Sequence, residues 1–223
     1  MTPRKDEDNT NQQQDKTNMN LTVFGTKPQD SIFLPQSPFA VRNDCSVGQW
    51  KVGDEDFRGN TLDISIIKVS QFFGTLGKTR DTQWLQVWFI PAPGEEKLPA
   101  NTVCVTYLKS RSISQFSQKI TELMASGEPA RGIFTGSFEK HSGELGTYYS
   151  VVWNWRERTT DAEKTQLNQI ATFLESGPAL LDMGTPLICI DGMTADEIQL
   201  LINSSKAQAE EETQPKSGKL SRR

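Results

Sequence analysis

Histidine occurs once in the 223 residues, at position 141. A histidine-based catalytic triad or a multi-histidine metal site therefore cannot be assembled from this chain. Cysteine is nearly as scarce. Cys45, Cys104 and Cys189 are odd in number and far apart, which matches neither a disulfide framework nor a metal-ligand spacing. Each reads as a small apolar residue or a loop residue. No apolar run approaches the length of a membrane helix, and Met-Thr-Pro-Arg-Lys-Asp-Glu at the start lacks the apolar stretch of a secretory signal. The expectation is a cytoplasmic protein with no membrane partner. A strong charge of either sign is missing too: the formal net charge is -4, which argues against gripping duplex DNA by bulk electrostatics. Gly-x-Ser-x-Gly is absent, and carboxylate pairs such as Asp54/Asp56 and Glu95/Glu96 lie in polar stretches where solvated charge is their ordinary role. The chain is expected to be no enzyme and to need no cofactor.

The length suits one domain with tails, large enough to bury a core without a disulfide or metal staple. The mean hydropathy of -0.54 is low for such a domain, and the ends explain much of it. Residues 1–20 contain no aromatic residue and no Val, Ile or Leu, and residues 203–223 contain only Leu220. Such segments cannot offset their ordering entropy by burial, so 1–20 and 204–223 are expected to be disordered tails. Residues 21–48 carry Pro28, Pro35 and Pro38 among Val23, Phe24, Ile32, Phe33, Leu34 and Phe39. Proline at those intervals forbids a helix and favours an extended arm. The arm can lie on its own domain or join two copies in a homo-oligomer.

A β-rich domain is expected over 49–177. Strands are read at 49–52, 61–69, 84–90, 102–109, 132–139 and 147–155. In the second, Leu62, Ile64 and Ile66 alternate, then the phase shifts through Ile67 and Val69, the mark of a bulge or bend. Residues 75–82 read as a loop and 141–146 as a glycine-bearing hairpin turn. Ser112 with Gln115, and Thr160 with Glu163, are capping-box patterns. They open helices whose apolar stripes are Ile113, Phe116, Ile120, Leu123 and Met124, and Leu167, Ile170, Ala171, Phe173 and Leu174. An appendage over 178–203 adds the apolar patch 187–190 and a short helix capped by Thr194 and Glu197.

Gly74-Thr75-Leu76-Gly77-Lys78-Thr79 superficially suggests a nucleotide loop. Only two residues separate the first glycine from Gly-Lys-Thr where four are required, and the residues after it are strand-like. It reads as a glycine loop whose Lys78 and Arg80 can touch a phosphate backbone. The aromatics carry more. Around Trp84–Ile90, Leu85, Val87 and Phe89 occupy one face and Trp84, Trp88 and Ile90 the other. Tyr149, Val151, Trp153 and Trp155 share a face of their strand, and Tyr107 joins Val103 and Val105 on another. A strand apolar on both faces is ordinarily covered on both, which makes Trp88 a core residue. The functional reading makes one face a stacking platform for bases, with Trp88, Tyr107 and Tyr149 as its rings. Lys109, Arg111, Arg131, Lys140 and Arg156 lie at strand ends or turns where they can line a groove. Residues 68–140 hold nine Lys+Arg against six Asp+Glu, so that groove is only modestly basic.

The order strand, strand, strand, helix, strand, strand, carried by 61–69, 84–90, 102–109, 112–125, 132–139 and 147–155, is that of an OB-fold. Over about Gln49 to Arg158 it resembles the small single-stranded-DNA-binding proteins of phages and plasmids. That resemblance implies a mainly β fold with two or three helices, built on an OB-like five-stranded barrel with a helix between strands 3 and 4. It also implies a non-catalytic partner of single-stranded nucleic acid, DNA first. An α+β sandwich, with both helices on one face of an antiparallel sheet, is the alternative fold. A protein-interaction module that binds no nucleic acid is the alternative function. Limited proteolysis should trim 1–20 and 206–223 quickly and leave the middle intact; a protected N-terminus in the mass spectrum would refute the assignment of tails.

Overall fold

The computed structural model describes residues 31–125, 127–144 and 146–213, with side chains through Ser205. The expectations for 1–20 and for 214–223 lie outside the described residues. In chain order the elements are β1 (Phe39–Asp44), β2 (Gln49–Val52), β3 (Asp56–Phe57), β4 (Leu62–Leu76), β5 (Thr79–Pro91), β6 (Cys104–Lys109), α1 (Arg111–Met124), β7 (Ile133–Gly143), β8 (Gly146–Arg156), α2 (Asp161–Glu175), β9 (Leu187–Cys189) and α3 (Ala195–Thr213). The protein is mainly β with three helices.

The strands form one open mixed sheet of nine, in the order β3-β2-β1-β6-β5-β4-β7-β8, with β9 added to the far end of β4. No ladder among the described residues joins β6 to β8, so the sheet does not close into the five-stranded barrel. Nor are its neighbours all antiparallel, as both expected folds required: β1 runs parallel to β6 through Phe39–Cys104 and Ala40–Val105. This strand belongs to the proline-containing arm. The described part of the arm therefore lies on its own sheet, where Phe33 also bridges Thr102.

The phase shift read in β4 is a bulge between Ile66 and Lys68. The loop expected over 75–82 is instead the tip of a long hairpin. Leu76 pairs with Thr79, and Gly77, at φ 59°, takes the first central position of a two-residue turn, where glycine accepts positive φ without steric cost. The β7–β8 pairing likewise runs to Gly143–Gly146 through the residues read as a turn. Helix α1 begins at Arg111, one residue early, and makes no capping box. Ser110 leaves β6 at φ 49°, and the Ser112 hydroxyl accepts the Val151 N–H at 3.0 Å. Helix α3 is longer than expected: it continues to Thr213, over residues 204–213 expected to belong to the disordered tail, through a run of Ala, Gln and Glu that favours helix.

Two apolar layers flank β5. The inner one joins Val41, Trp50, Leu62, Ile64, Leu85, Val87, Phe89 and Val151 with Phe116 of α1 and Trp153. The outer one joins Trp88, Ile90, Val103 and Val105 with Ile170 of α2 and Leu180, and Ile32 and Leu34 of the arm pack against it. Helix α2 is held on this outer face by a buried guanidinium. Arg158 donates to the Arg131 carbonyl at 2.9 Å, the Glu163 carbonyl at 2.9 Å and the Ser65 hydroxyl at 2.7 Å. Gln166 extends the link by donating to the Pro91 carbonyl at 2.8 Å.

The capping box expected at Thr160 and Glu163 is present. Glu163 also accepts from Arg156 at 2.8 Å and from the Thr159 N–H at 2.8 Å. Arg156 first, then these backbone donors, hold its carboxyl down at about 2. The folded state therefore prefers the charged form. Its contribution is complete above the ordinary Glu range and is lost as pH falls from roughly 4.5 toward about 2. Melting temperatures across that window should fall less steeply for Glu163→Gln than for the natural protein; parallel curves would show that the ion pair does not stabilise the fold.

Candidate nucleic-acid interface

The outward rows of β5 and β6 set Trp84 opposite Lys109, Gln86 opposite Tyr107 and Trp88 opposite Val105. The centre of this face is not open. Trp88 is 1% exposed, and its indole N–H donates to Gln86 Oε1 at 2.7 Å. Gln86 Nε2 donates to the Tyr107 hydroxyl at 2.7 Å. That hydroxyl in turn donates to Asp182 Oδ2 at 2.9 Å and lies 3.1 Å from Thr185 Oγ1. Burial pushes the Tyr107 hydroxyl up to about 12, so it remains protonated. A polar relay thus runs from the strand face into the segment after α2. In this arrangement Trp88 offers no ring to a base, and the covered-strand reading describes it.

The basic residues fall into two groups. Lys78 and Arg80 are exposed at the β4–β5 tip. Lys109 Nζ donates to Thr79 Oγ1 at 2.8 Å and stands 5.8 Å from the centre of the Trp84 ring. Arg111 is exposed one residue past the sharp bend at Ser110. Lys140 and Tyr149 are cross-strand partners on β7 and β8, and the β1–β2 turn ties them to the same region. The Tyr149 N–H donates to the Cys45 carbonyl at 2.8 Å. Gly48 follows at φ 72°, and a Cβ there would meet the Tyr149 ring at 2.7 Å. Burial pushes the Cys45 thiol up, while nearby Lys109 and a bond to Ser112 act the other way. Lys109 and Arg111 thus lie at the end of β6, and Tyr149, with Lys140 across from it on β7, meets the β1–β2 turn from the side of β8.

Arg131 and Arg156 stand apart from this group. Arg131 pairs with Glu128 at 2.6 Å, and Arg156 pairs with Glu163 at 2.8 Å and Asp63 at 3.7 Å. Arg131 and Trp155 line an open groove of about 620 Å³ between the ends of α1 and α2, where Glu128 and Glu157 offset the cations. Two rings near the candidate face are not among those read from the sequence as its platform. Trp84, which alternation puts on the face of Trp88, stands beside Lys109 but is 5% exposed, its indole N–H donating to the Gly74 carbonyl at 3.0 Å. Tyr148 is 42% exposed and lies 5.1 Å, centre to centre, from the His141 ring; no sequence signal distinguishes it from Tyr149.

Among the described residues no group of His, Cys, Asp or Glu can hold a metal ion, and no helix is long and apolar enough to cross a membrane. Compared with known proteins, the chain matches no protein-family model, no curated protein and no solved structure. Trp88→Ala should cost about 3–5 kcal/mol of unfolding free energy, the range for emptying a buried aromatic site. A denaturant midpoint unchanged by the substitution would mean that the outer face is not a packed layer.

Proposed function

We propose that the protein binds single-stranded nucleic acid, DNA in the first instance, and performs no chemistry on it. The observation that carries this reading is strand order. From one side the sheet reads β6-β5-β4-β7-β8, which is third, second, first, fourth and fifth of an OB-like unit, with α1 between the third and fourth. In place of a direct ladder between β6 and β8, β1 bridges the seam, through its parallel pairing with β6 and the Cys45–Tyr149 bond. In OB-folds the face of strands 2 and 3 and the loops 1–2 and 4–5 hold oligonucleotides. The equivalent parts here carry Lys78, Arg80, Lys109, Lys140 and Tyr149, and Arg111 opens α1 just past the end of β6. Stacking on a few rings plus a small number of phosphate contacts suits a protein with a net charge of -4.

One observation favours the alternative of a protein-interaction module. Leu181, Met183 and Leu200 are largely exposed on the C-terminal part of the chain. Fluorescence titration with oligo-dT, oligo-dA and a duplex of equal length separates the two readings. Single strands should bind in preference to the duplex, with a shallow salt dependence. Lys109→Ala and Arg111→Ala should each reduce the log–log salt slope by about 0.7, one phosphate contact apiece. Absence of binding to either single strand at low salt would leave the interaction-module reading in its place.

A further inference from the structure

Residues 178–190 cross the outer face of β5 and β6 as a strap, attached at a few points along its length. Leu180 and Ile190 are its buried apolar anchors. Between them Asp182 and Thr185 engage the Tyr107 hydroxyl, and only three residues, Leu187–Cys189, pair with Phe72–Gly74 of β4. At the far end the Ile190 N–H donates to the Gln71 carbonyl at 2.9 Å, and the Gln71 N–H donates to Asp191 Oδ1 at 2.6 Å. Leu181 and Met183 are 61% and 88% exposed. Beside the strap the packing is incomplete: an open cleft of about 220 Å³ lies between its first residues and the arm, lined by Trp88, Leu34 and Leu181 among others. Gly177 at φ 64° and Gly192 at φ 79° flank the segment, each in a conformation that glycine adopts freely.

Resting on the single-strand reading, we propose that this strap is an intrachain competitor that covers the middle of the binding face and must lift for a strand to occupy it. The surface it covers holds the Tyr107 ring, in one outward row with Lys109 and next to Trp84, while Trp88 stays packed beneath α2 and the arm. The groups it places there include the Asp182 carboxylate, an anion at the face where a phosphate backbone would run. Cover and ligand thus exclude each other sterically and by charge. Lifting the strap breaks the bonds to Tyr107 and to Gln71, undoes the three-residue pairing with β4 and uncovers Leu180 and Ile190, but it leaves the α2 layer in place, because Arg158 and Gln166 hold that helix independently.

The full-length natural protein is compared with Tyr107→Phe, which keeps the ring and removes both strap bonds, and with Thr185→Val, which removes one bond and changes no charge. Two hydrogen bonds of ordinary net strength correspond to about a tenfold shift in the closed–open balance. Affinity for oligo-dT should accordingly rise about tenfold in Tyr107→Phe and about threefold in Thr185→Val. In the natural protein, oligo-dT should speed hydrogen exchange at the Gln71 and Ile190 amides, which donate across the seam. If the natural protein binds oligo-dT but both variants bind no better, or those amides stay protected in the complex, the strap is a fixed part of the fold and the inference falls alone. If neither the natural protein nor the variants bind oligo-dT, the single-strand reading falls with it.

Discussion

The strand from Trp84 to Pro91 is apolar on both faces, and most of the architecture answers to that fact. A strand of this kind leaves no side to water, so each face must meet its own layer. On one side the layer is the curved interior of the sheet, with Phe116 of α1 and Trp50 of β2 completing it. On the other it is assembled from three separate stretches of chain: α2, the arm around Ile32 and Leu34, and the strap around Leu180. The polar groups that cannot avoid the outer layer are satisfied within it, through the Trp88–Gln86–Tyr107 relay and the Arg158 fan of donors. Buried polar groups with partners specify a single arrangement of covering elements, where apolar contact alone would allow several.

Much of this is legible in the residues alone. Alternation in 84–90 and 147–155 places side chains on the correct faces, and the bulge in β4 is visible as a break in the Leu62–Ile64–Ile66 phase. The Thr160–Glu163 and Thr194–Glu197 boxes are local chemistry and form as read. The features that escape are non-local. Residues 75–82 are polar and contain glycine, so they read as a loop; pairing across the hairpin makes them strand. Ser112 looks like a helix cap because its spacing to Gln115 is right, but β8 supplies it with a different donor, the Val151 N–H. No pattern in the arm announces that Phe39 and Ala40 run parallel to β6, because parallel register is set by partners distant in the chain.

The candidate interface divides along the same line. Basic residues at the ends of strands are found by position, and the fold sets Lys109 and Arg111 at the end of β6, with Lys140 and Tyr149 paired on β7 and β8. Arg131 and Arg156 satisfy the same rule and are engaged elsewhere: Glu128 lies one turn before the first, while α2 and β4 bring Glu163 and Asp63 to the second. Trp88 carries both readings, core and platform. The elements that bury it are the arm, α2 and a segment almost a hundred residues downstream, whose apolar patch gives no hint of which surface it will cover.

The seam between β6 and β8 is filled by the strand that leaves the ribosome first among the described elements. Phe39 and Ala40 have no parallel partner until Cys104 and Val105 have been made, and the Cys45 carbonyl waits for Tyr149. The β4–β5 hairpin, by contrast, can zip as soon as Pro91 emerges. Loop closure over such separations is slow relative to hairpin formation. During synthesis the inner apolar face of β4 and β5 is therefore uncovered for longer than its own pairing requires. A nascent chain thus carries an apolar surface whose cover is not yet made, the kind of surface through which partly folded chains aggregate.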